Sequence, residues 1–284
     1  MTDFSSKWLV ETGWLNERLG TPGLAIIDAS FSLPGDPRNA DEIYREAHIP
    51  GALFFDIDEI ADTSSALPHM LPAPEKFASR MRKMGVGDGM KAVIYDNRGI
   101  FSAPRVWWTF RVMGHADVAV LNGGLLKWRE EGRSLEAGPP ALRSERHFTA
   151  RRNAELVRDL SDLKAAVESK RLQILDARSK ARFEGHEPEP RPVPRLGHMP
   201  GAQNLPYDTL INANGTLKSH TELQAAFEAS GVNPGKPIIT TCGSGVTACI
   251  LALSLAVTGN EWASVYDGSW AEWSADPSVP VVQD

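Results

Sequence analysis

The sequence predicts an α/β protein of two tandem domains, each a central parallel sheet flanked by helices on both faces. Three observations carry this expectation. The chain has 284 residues, more than one typical domain holds. Short β-branched or apolar runs alternate with longer segments of helical periodicity, as strands joined by crossover helices require. The chain also repeats itself, with four blocks recurring in the same order at a spacing of roughly 145–150 residues.

The paired blocks set the elements. Ala25-Ile-Ile-Asp-Ala-Ser matches Gln173-Ile-Leu-Asp-Ala-Arg, and Ala47-His-Ile-Pro-Gly-Ala matches Gly197-His-Met-Pro-Gly-Ala. Val93-Ile-Tyr-Asp matches Ile239-Thr-Thr-Cys, which sets Asp96 opposite Cys242; Asn122-Gly-Gly-Leu-Leu-Lys-Trp matches Asp267-Gly-Ser-Trp-Ala-Glu-Trp. Two copies of this length form a duplicated domain and not a solenoid. Strands are expected at 26–28, 93–95 and 118–121 in the first copy and at 174–176, 238–240 and 264–266 in the second. Helices are expected at 74–84, 104–113, 159–170 and 221–230, where apolar residues recur at helical spacing behind Pro, Asp or Thr entry signals.

The intervening stretch is rich in Pro, Gly, Arg and Glu, so the domains are expected at 5–132 and 157–284, with a linker at 133–156. Arg143, Arg146, Arg151 and Arg152 read as a solvated strap. The segment Gly185-His-Glu-Pro-Glu-Pro-Arg-Pro-Val-Pro-Arg195 is stiffened by alternating prolines. Its preferred reading is a rigid loop that carries Arg191 toward a pocket, with a disordered insertion as the alternative.

Composition narrows the function classes. A net charge of −6 offers no basic footprint for nucleic acid. The apolar run 248–257 is half the length of a membrane span of roughly 20 residues and reads as a buried helix. Two cysteines are too few for a secreted disulfide framework, and Met1-Thr-Asp-Phe-Ser-Ser-Lys-Trp lacks the basic and apolar regions of a signal peptide. A cytoplasmic monomer is expected. Neither zinc spacing nor a dinucleotide or P-loop pattern occurs, so no metal and no cofactor are expected.

One octapeptide carries the chemistry. Thr241-Cys-Gly-Ser-Gly-Val-Thr-Ala248 follows an apolar strand and precedes a helix. Sites in parallel sheets lie beyond the carboxyl ends of strands, and Cys242 stands there. Gly243 and Gly245 let the backbone curl around one atom. The amides of Gly243, Ser244, Gly245, Val246, Thr247 and Ala248, with the helix N-terminus, favour negative charge at the sulfur. Cys249 reads as a small buried hydrophobe. A Cys-dependent phosphatase would carry Arg six positions after Cys242, where Ala248 stands.

The paired Asp-Ala-Arg and Gly-His-x-Pro-Gly-Ala blocks, the Cys242 loop and the closing Tyr266-Asp-Gly-Ser-Trp-Ala-Glu-Trp together resemble the two-domain rhodanese superfamily, from about Trp8 to Trp273. Within it, Cys-Gly-Ser-Gly-Val-Thr is similar to the loop of the 3-mercaptopyruvate sulfurtransferase branch, where the thiosulfate branch carries Cys-Arg-Lys-Gly-Val-Thr. Phe54-Phe-Asp-Ile-Asp58, His69-Met-Leu-Pro72 and Ser102-Ala-Pro-Arg-Val-Trp-Trp108 point the same way. The resemblance implies two rhodanese-like domains, only the second with a transferable sulfur; Asp96 at the cysteine position of the first copy agrees, since a carboxylate forms no persulfide. It also implies transfer from 3-mercaptopyruvate through a Cys242 persulfide to an acceptor such as thioredoxin, glutathione or cyanide.

Further residues match by position. Arg182 and Arg191 correspond to the family's substrate-binding arginines, and a guanidinium fork suits the donor's carboxylate and keto oxygen. The plainer reading pairs them with Glu184, Glu187 or Glu189. Ser244, His69 and Asp58 match a proposed proton relay; the plainer readings make His69 a surface residue and Asp58 a helix cap. A thiosulfate sulfurtransferase and a non-enzymatic persulfide carrier are the alternatives.

Overall fold

A computed structural model describes residues 6–284. The expected start of the first domain at residue 5, and residues 1–5 of the N-terminal segment, lie outside the described residues. The first sheet holds β1 (Leu9–Val10), β2 (Leu24–Asp28), β3 (Leu53–Phe54), β4 (Lys91–Tyr95) and β5 (Val118–Leu121) in the order β1-β5-β4-β2-β3. The second holds β6 (Val157–Arg158), β7 (Gln173–Asp176), β8 (Gln203–Asn204), β9 (Ile238–Thr241) and β10 (Ser264–Tyr266) in the order β6-β10-β9-β7-β8. Every pairing is parallel, and the two orders are the same order one copy apart. The three inner strands of each sheet are those read from the sequence. The edge strands β1, β3, β6 and β8 have two residues each, too short for any period to register.

Register brings the site together. Asp28 pairs with Tyr95 and Asp176 with Thr241, so in each copy the first long strand and the strand before the loop end level. Cys242 therefore emerges beside the turn that carries Arg178.

The expected helices form at Pro74–Lys83, Ala103–Val112, Leu160–Ser169 and His220–Ala229. Proline opens the first two. Reciprocal capping boxes, Asp159 with Asp162 and Ser219 with Glu222, open the others and satisfy amide donors that the first turn leaves unpaired. The helix Ala248–Val257 is buried at all ten residues. One side covers its own sheet, and the other packs on Ala103–Val112, the matching helix of the first copy. An apolar helix lacking a polar face is thereby explained: it lies between a sheet and a twin, and the largest core runs through both halves.

The halves also exchange clasps at matched positions. Leu71 N–H donates to Asp267 Oδ2 at 2.8 Å, and Leu217 N–H donates to Asn122 Oδ1 at 2.9 Å. The segment 133–156 binds along the first half. Arg143 donates to the Gly51 carbonyl at 2.6 Å, and Arg82 donates to the Phe148 carbonyl. Arg146, Arg151 and Arg152 are exposed. Phe148 is fully buried among Phe77, Phe110 and His115, an anchor that one apolar residue amid polar ones does not announce. Among the described residues no helix is long and apolar enough to cross a membrane.

Candidate active site

The Cys242 side chain is buried at the mouth of β9. Its sulfur accepts the Gly245 amide at 3.1 Å. Gly245 has φ +79°, and a Cβ there would lie 2.8 Å from the Asp267 carbonyl and 3.0 Å from Arg105 Nη1, so only glycine closes this turn. The amides of Ser244, Val246, Thr247 and Ala248 have no acceptor among the described residues. Cys249 is tied down instead: its amide donates to Val246 O and its thiol to Gly245 O, and burial pushes that thiol well above its ordinary pKa.

The first copy has the same ring filled. One oxygen of the buried Asp96 carboxylate accepts the amides of Phe101 (2.8 Å), Ser102 (2.9 Å) and Ala103 (2.9 Å), and the other accepts Arg98 (2.9 Å). The matching helices start at Ala103 and Ala248, so Phe101, Ser102 and Ala103 correspond to Val246, Thr247 and Ala248, while Arg98, before the loop glycine, corresponds to Ser244.

A buried cation from the first copy supports the loop from beneath. Arg105 donates to the Gly245 carbonyl at 3.3 Å and to the His69 carbonyl, and it pairs with Asp267 at 2.7 Å. Burial opposes its charge, and Asp267 outweighs that, leaving the guanidinium firmly protonated. Neither Arg105 nor Asp267 stands out as a site residue from sequence, although a lone Arg inside a wholly buried helical face is a signal in retrospect.

Above the loop lies a cleft of about 480 Å³, lined by Phe31, Leu67, Phe101, Tyr207, Arg182 and Arg191, with Cys242, Gly243 and Ser244 in its floor. The proline-rich segment is ordered and forms one wall. Arg195 pins it by donating to the carbonyls of Ser274 (2.8 Å) and Val279 (2.8 Å). Arg182 sits on the short helix Lys180–Glu184, capped by Ser179, and pairs with Glu189. The other Glu189 oxygen takes Arg178 at 2.8 Å, and Arg178 is bound to Asp176 at 2.7 Å. The carboxylate-paired reading of Arg182 is thus realised, with the arginine still facing the cleft. Arg191 lines it with no ion pair among the described residues. Arg178 is wholly buried and structural.

Asp58 and His69 meet: His69 Nδ1 lies 2.6 Å from Asp58 Oδ1. The surface and cap readings of both are corrected. His69 is 4% exposed, and the cap of the helix Ile57–Ile60 is Asp56, leaving the Asp58 carboxylate to the imidazole. That hydrogen bond holds Asp58 below the usual carboxylate range. Burial pushes His69 below its ordinary value despite Asp58, so the ring is neutral near pH 7. Its Nε2 is buried with no hydrogen-bond partner among the described residues. Ser244 makes no hydrogen bond to His69 and lines the cleft beside Cys242. Two of the three relay groups are joined and the third is not.

His69 has φ +61°, while the matching position of the second copy is Gly215 at +77°. A histidine held in a glycine's conformation stores strain of about 1 kcal/mol. His69→Gly should therefore exceed His69→Ala in unfolding free energy by about 1 kcal/mol, measured by denaturant titration. Equal stabilities would remove the strain argument.

The rhodanese-like domain profile matches twice, over residues 11–131 and 159–276. The chain belongs to the rhodanese family. The 3-mercaptopyruvate sulfurtransferase of Escherichia coli strain K12 is 44% identical over 278 residues, 98% of each chain. The thiosulfate sulfurtransferase of Cricetulus griseus is 41% identical over 288 residues, covering 97% of this chain and 95% of that one. The crystal structure of SseA from E. coli, a 3-mercaptopyruvate sulfotransferase with the rhodanese fold, aligns with TM-score 0.85 and 43% identity over 93% of this chain and 98% of that one. The two rhodanese domains expected from the sequence are present, and a sulfur donor and a sulfur acceptor are what the family handles.

Proposed function

We propose that this rhodanese moves sulfur from 3-mercaptopyruvate through a persulfide on Cys242 to a thiol or cyanide, releasing pyruvate. One observation carries the reading: the second copy has a ring of unclaimed amides where the first has the same ring closed on a carboxylate oxygen. Asp96 Oδ2 is three bonds from its Cα, and so is the outer sulfur of a cysteine persulfide. Asp96 is a built-in likeness of the anion that Cys242 would carry, and such preorganised donors act like an oxyanion hole.

In the first half-reaction the Cys242 thiolate attacks the donor sulfur. An S–S bond forms and the donor's C–S bond breaks, its electron pair leaving on carbon as the pyruvate enolate. The sulfhydryl proton released by the new persulfide, or one delivered by Ser244 with the Asp58–His69 pair behind it, converts the enolate to pyruvate. In the second half-reaction an acceptor thiolate or cyanide attacks the outer sulfur and returns Cys242 as thiolate. Arg182 and Arg191 grip the donor carboxylate and keto oxygen. Thioredoxin and glutathione fit as thiol acceptors, and the catalytic copy is 157–284. A cytoplasmic monomer fits two unpaired cysteines.

The uncharged pair Gly243-Ser244 supports mercaptopyruvate over thiosulfate, whose double charge a basic loop would neutralise. The test is direct: the protein is incubated with each donor, and the mass of the Cys242 peptide is read for one added sulfur. Gain from thiosulfate alone would overturn the donor assignment. Arg182→Ala should lower kcat/KM for mercaptopyruvate by about 2–4 kcal/mol equivalent, the range for deleting one member of a desolvated charge pair. An unchanged value would remove Arg182 from the binding fork.

A further inference from the structure

A fully held carboxylate inside an anion-binding cleft calls for a reason. The Glu189 side chain is 4% exposed, and each of its oxygens is taken by a different guanidinium, Arg178 and Arg182. It reaches the edge of the nucleophile's loop: a Cβ on Gly243 would stand 2.9 Å from Glu189 Oε2 and 2.8 Å from Arg182 Nη2. The other charges around the cleft are Arg191, Asp58, Arg98 over the Phe101 ring, Arg105 paired with Asp267 beneath the loop and, behind the wall, Asp176 paired with Arg178. Asp176 holds Arg178 through Nε and Nη2, and Glu189 adds the bond at Nη1, so Glu189 ties Arg178 to Arg182 as well as lying beside the loop. It also offsets the positive charge of Arg182 at the point where a donor arrives.

We propose that Glu189 is a specificity residue that sets the charge class of the sulfur donor, admitting a singly charged carboxylate and disfavouring a doubly charged oxyanion. This rests on the reading of Cys242 as the sulfur acceptor of a small anionic donor. Coulomb repulsion scales with the product of charges, so a fixed carboxylate penalises a dianion twice as strongly as a monoanion at the same distance. Arg182 keeps donors for hydrogen bonds to a carboxylate or keto oxygen while its net field is dulled. With Gly243 and Ser244 uncharged, no side chain of the loop restores that field.

The experiment compares donors across variants. Glu189→Gln keeps the shape and removes the charge, Glu189→Ala removes both, and Glu189→Asp keeps the charge. Both neutral variants should raise the ratio of kcat/KM for thiosulfate over mercaptopyruvate by about tenfold or more, chiefly through the KM for thiosulfate. The thiosulfate rate should also fall more steeply with added salt than in the wild type. Glu189→Asp should leave the ratio near wild type. Whichever neutral variant melts as a folded protein reads the effect, since a merely structural role would slow both donors by one factor. A common factor for both donors, with the wild-type Cys242 peptide still gaining sulfur, would overturn the role of Glu189 alone. A wild-type peptide that gains sulfur from neither donor would overturn the function itself and this proposal with it.

Discussion

Cys242→Ser should fold normally and take up no sulfur from either donor, with turnover reduced about 10⁴-fold or more, the scale on which removal of a nucleophile is felt. Serine is nearly isosteric, and its hydroxyl can accept the Gly245 amide that now meets the sulfur at 3.1 Å. The loop should therefore keep its shape, and unfolding midpoints should agree with wild type. The alkoxide needed for attack is far less accessible than a thiolate, and an oxygen cannot form a stable S–O analogue of the persulfide for onward transfer. Cys249→Ser is the matched control. That thiol is buried, donates to the Gly245 carbonyl and is pushed toward its neutral form, so sulfur loading per folded molecule should survive the change. Residual turnover in Cys242→Ser that vanished in Cys249→Ser would reverse the assignment of the two cysteines.

Much of this site was legible because duplication gave the sequence an internal reference. The pairing of Asp96 with Cys242 came from block alignment, and the structure places both at the same mouth of matching sheets, followed by matching helices. Local signals also sufficed for the inner strands and capped helices, where apolar period and entry residues agree. What escaped depends on distance along the chain. Arg105 and Asp267 are 162 positions apart and meet only because two copies pack through their post-loop helices. Glu189 was one of three carboxylates within reach of Arg182, and sequence cannot rank them; the proline-stiffened wall aims that one inward. His69 looked exposed because Pro68 precedes it in a loop. Its burial under Phe31, with ring centroids 5.0 Å apart, comes from tertiary packing.

Asp96→Ala should destabilise the protein by about 3–5 kcal/mol, in line with stripping one partner from a buried charged network. Four backbone donors converge on that carboxylate at 2.8–2.9 Å, and alanine would leave all of them without an acceptor at a fully buried site. Water has little room to substitute. Gly99 lies so close to Gly215 that a Cβ on it would come within 2.6 Å of the Gly215 Cα, which closes the first copy's loop where the second copy opens into its cleft. Asp96→Asn, with one acceptor oxygen left but an amino group facing the donors, should fall between alanine and wild type. Denaturant unfolding of the three proteins measures this ordering. The same ring in the second copy tolerates vacancy because Ser244, Val246 and Thr247, whose amides have no acceptor among the described residues, line the cleft above Cys242. Loading Cys242 with sulfur supplies the missing acceptor. The persulfide form of the wild type should therefore unfold at higher denaturant than the free thiol, and a lower midpoint would break the likeness between Asp96 and the persulfide.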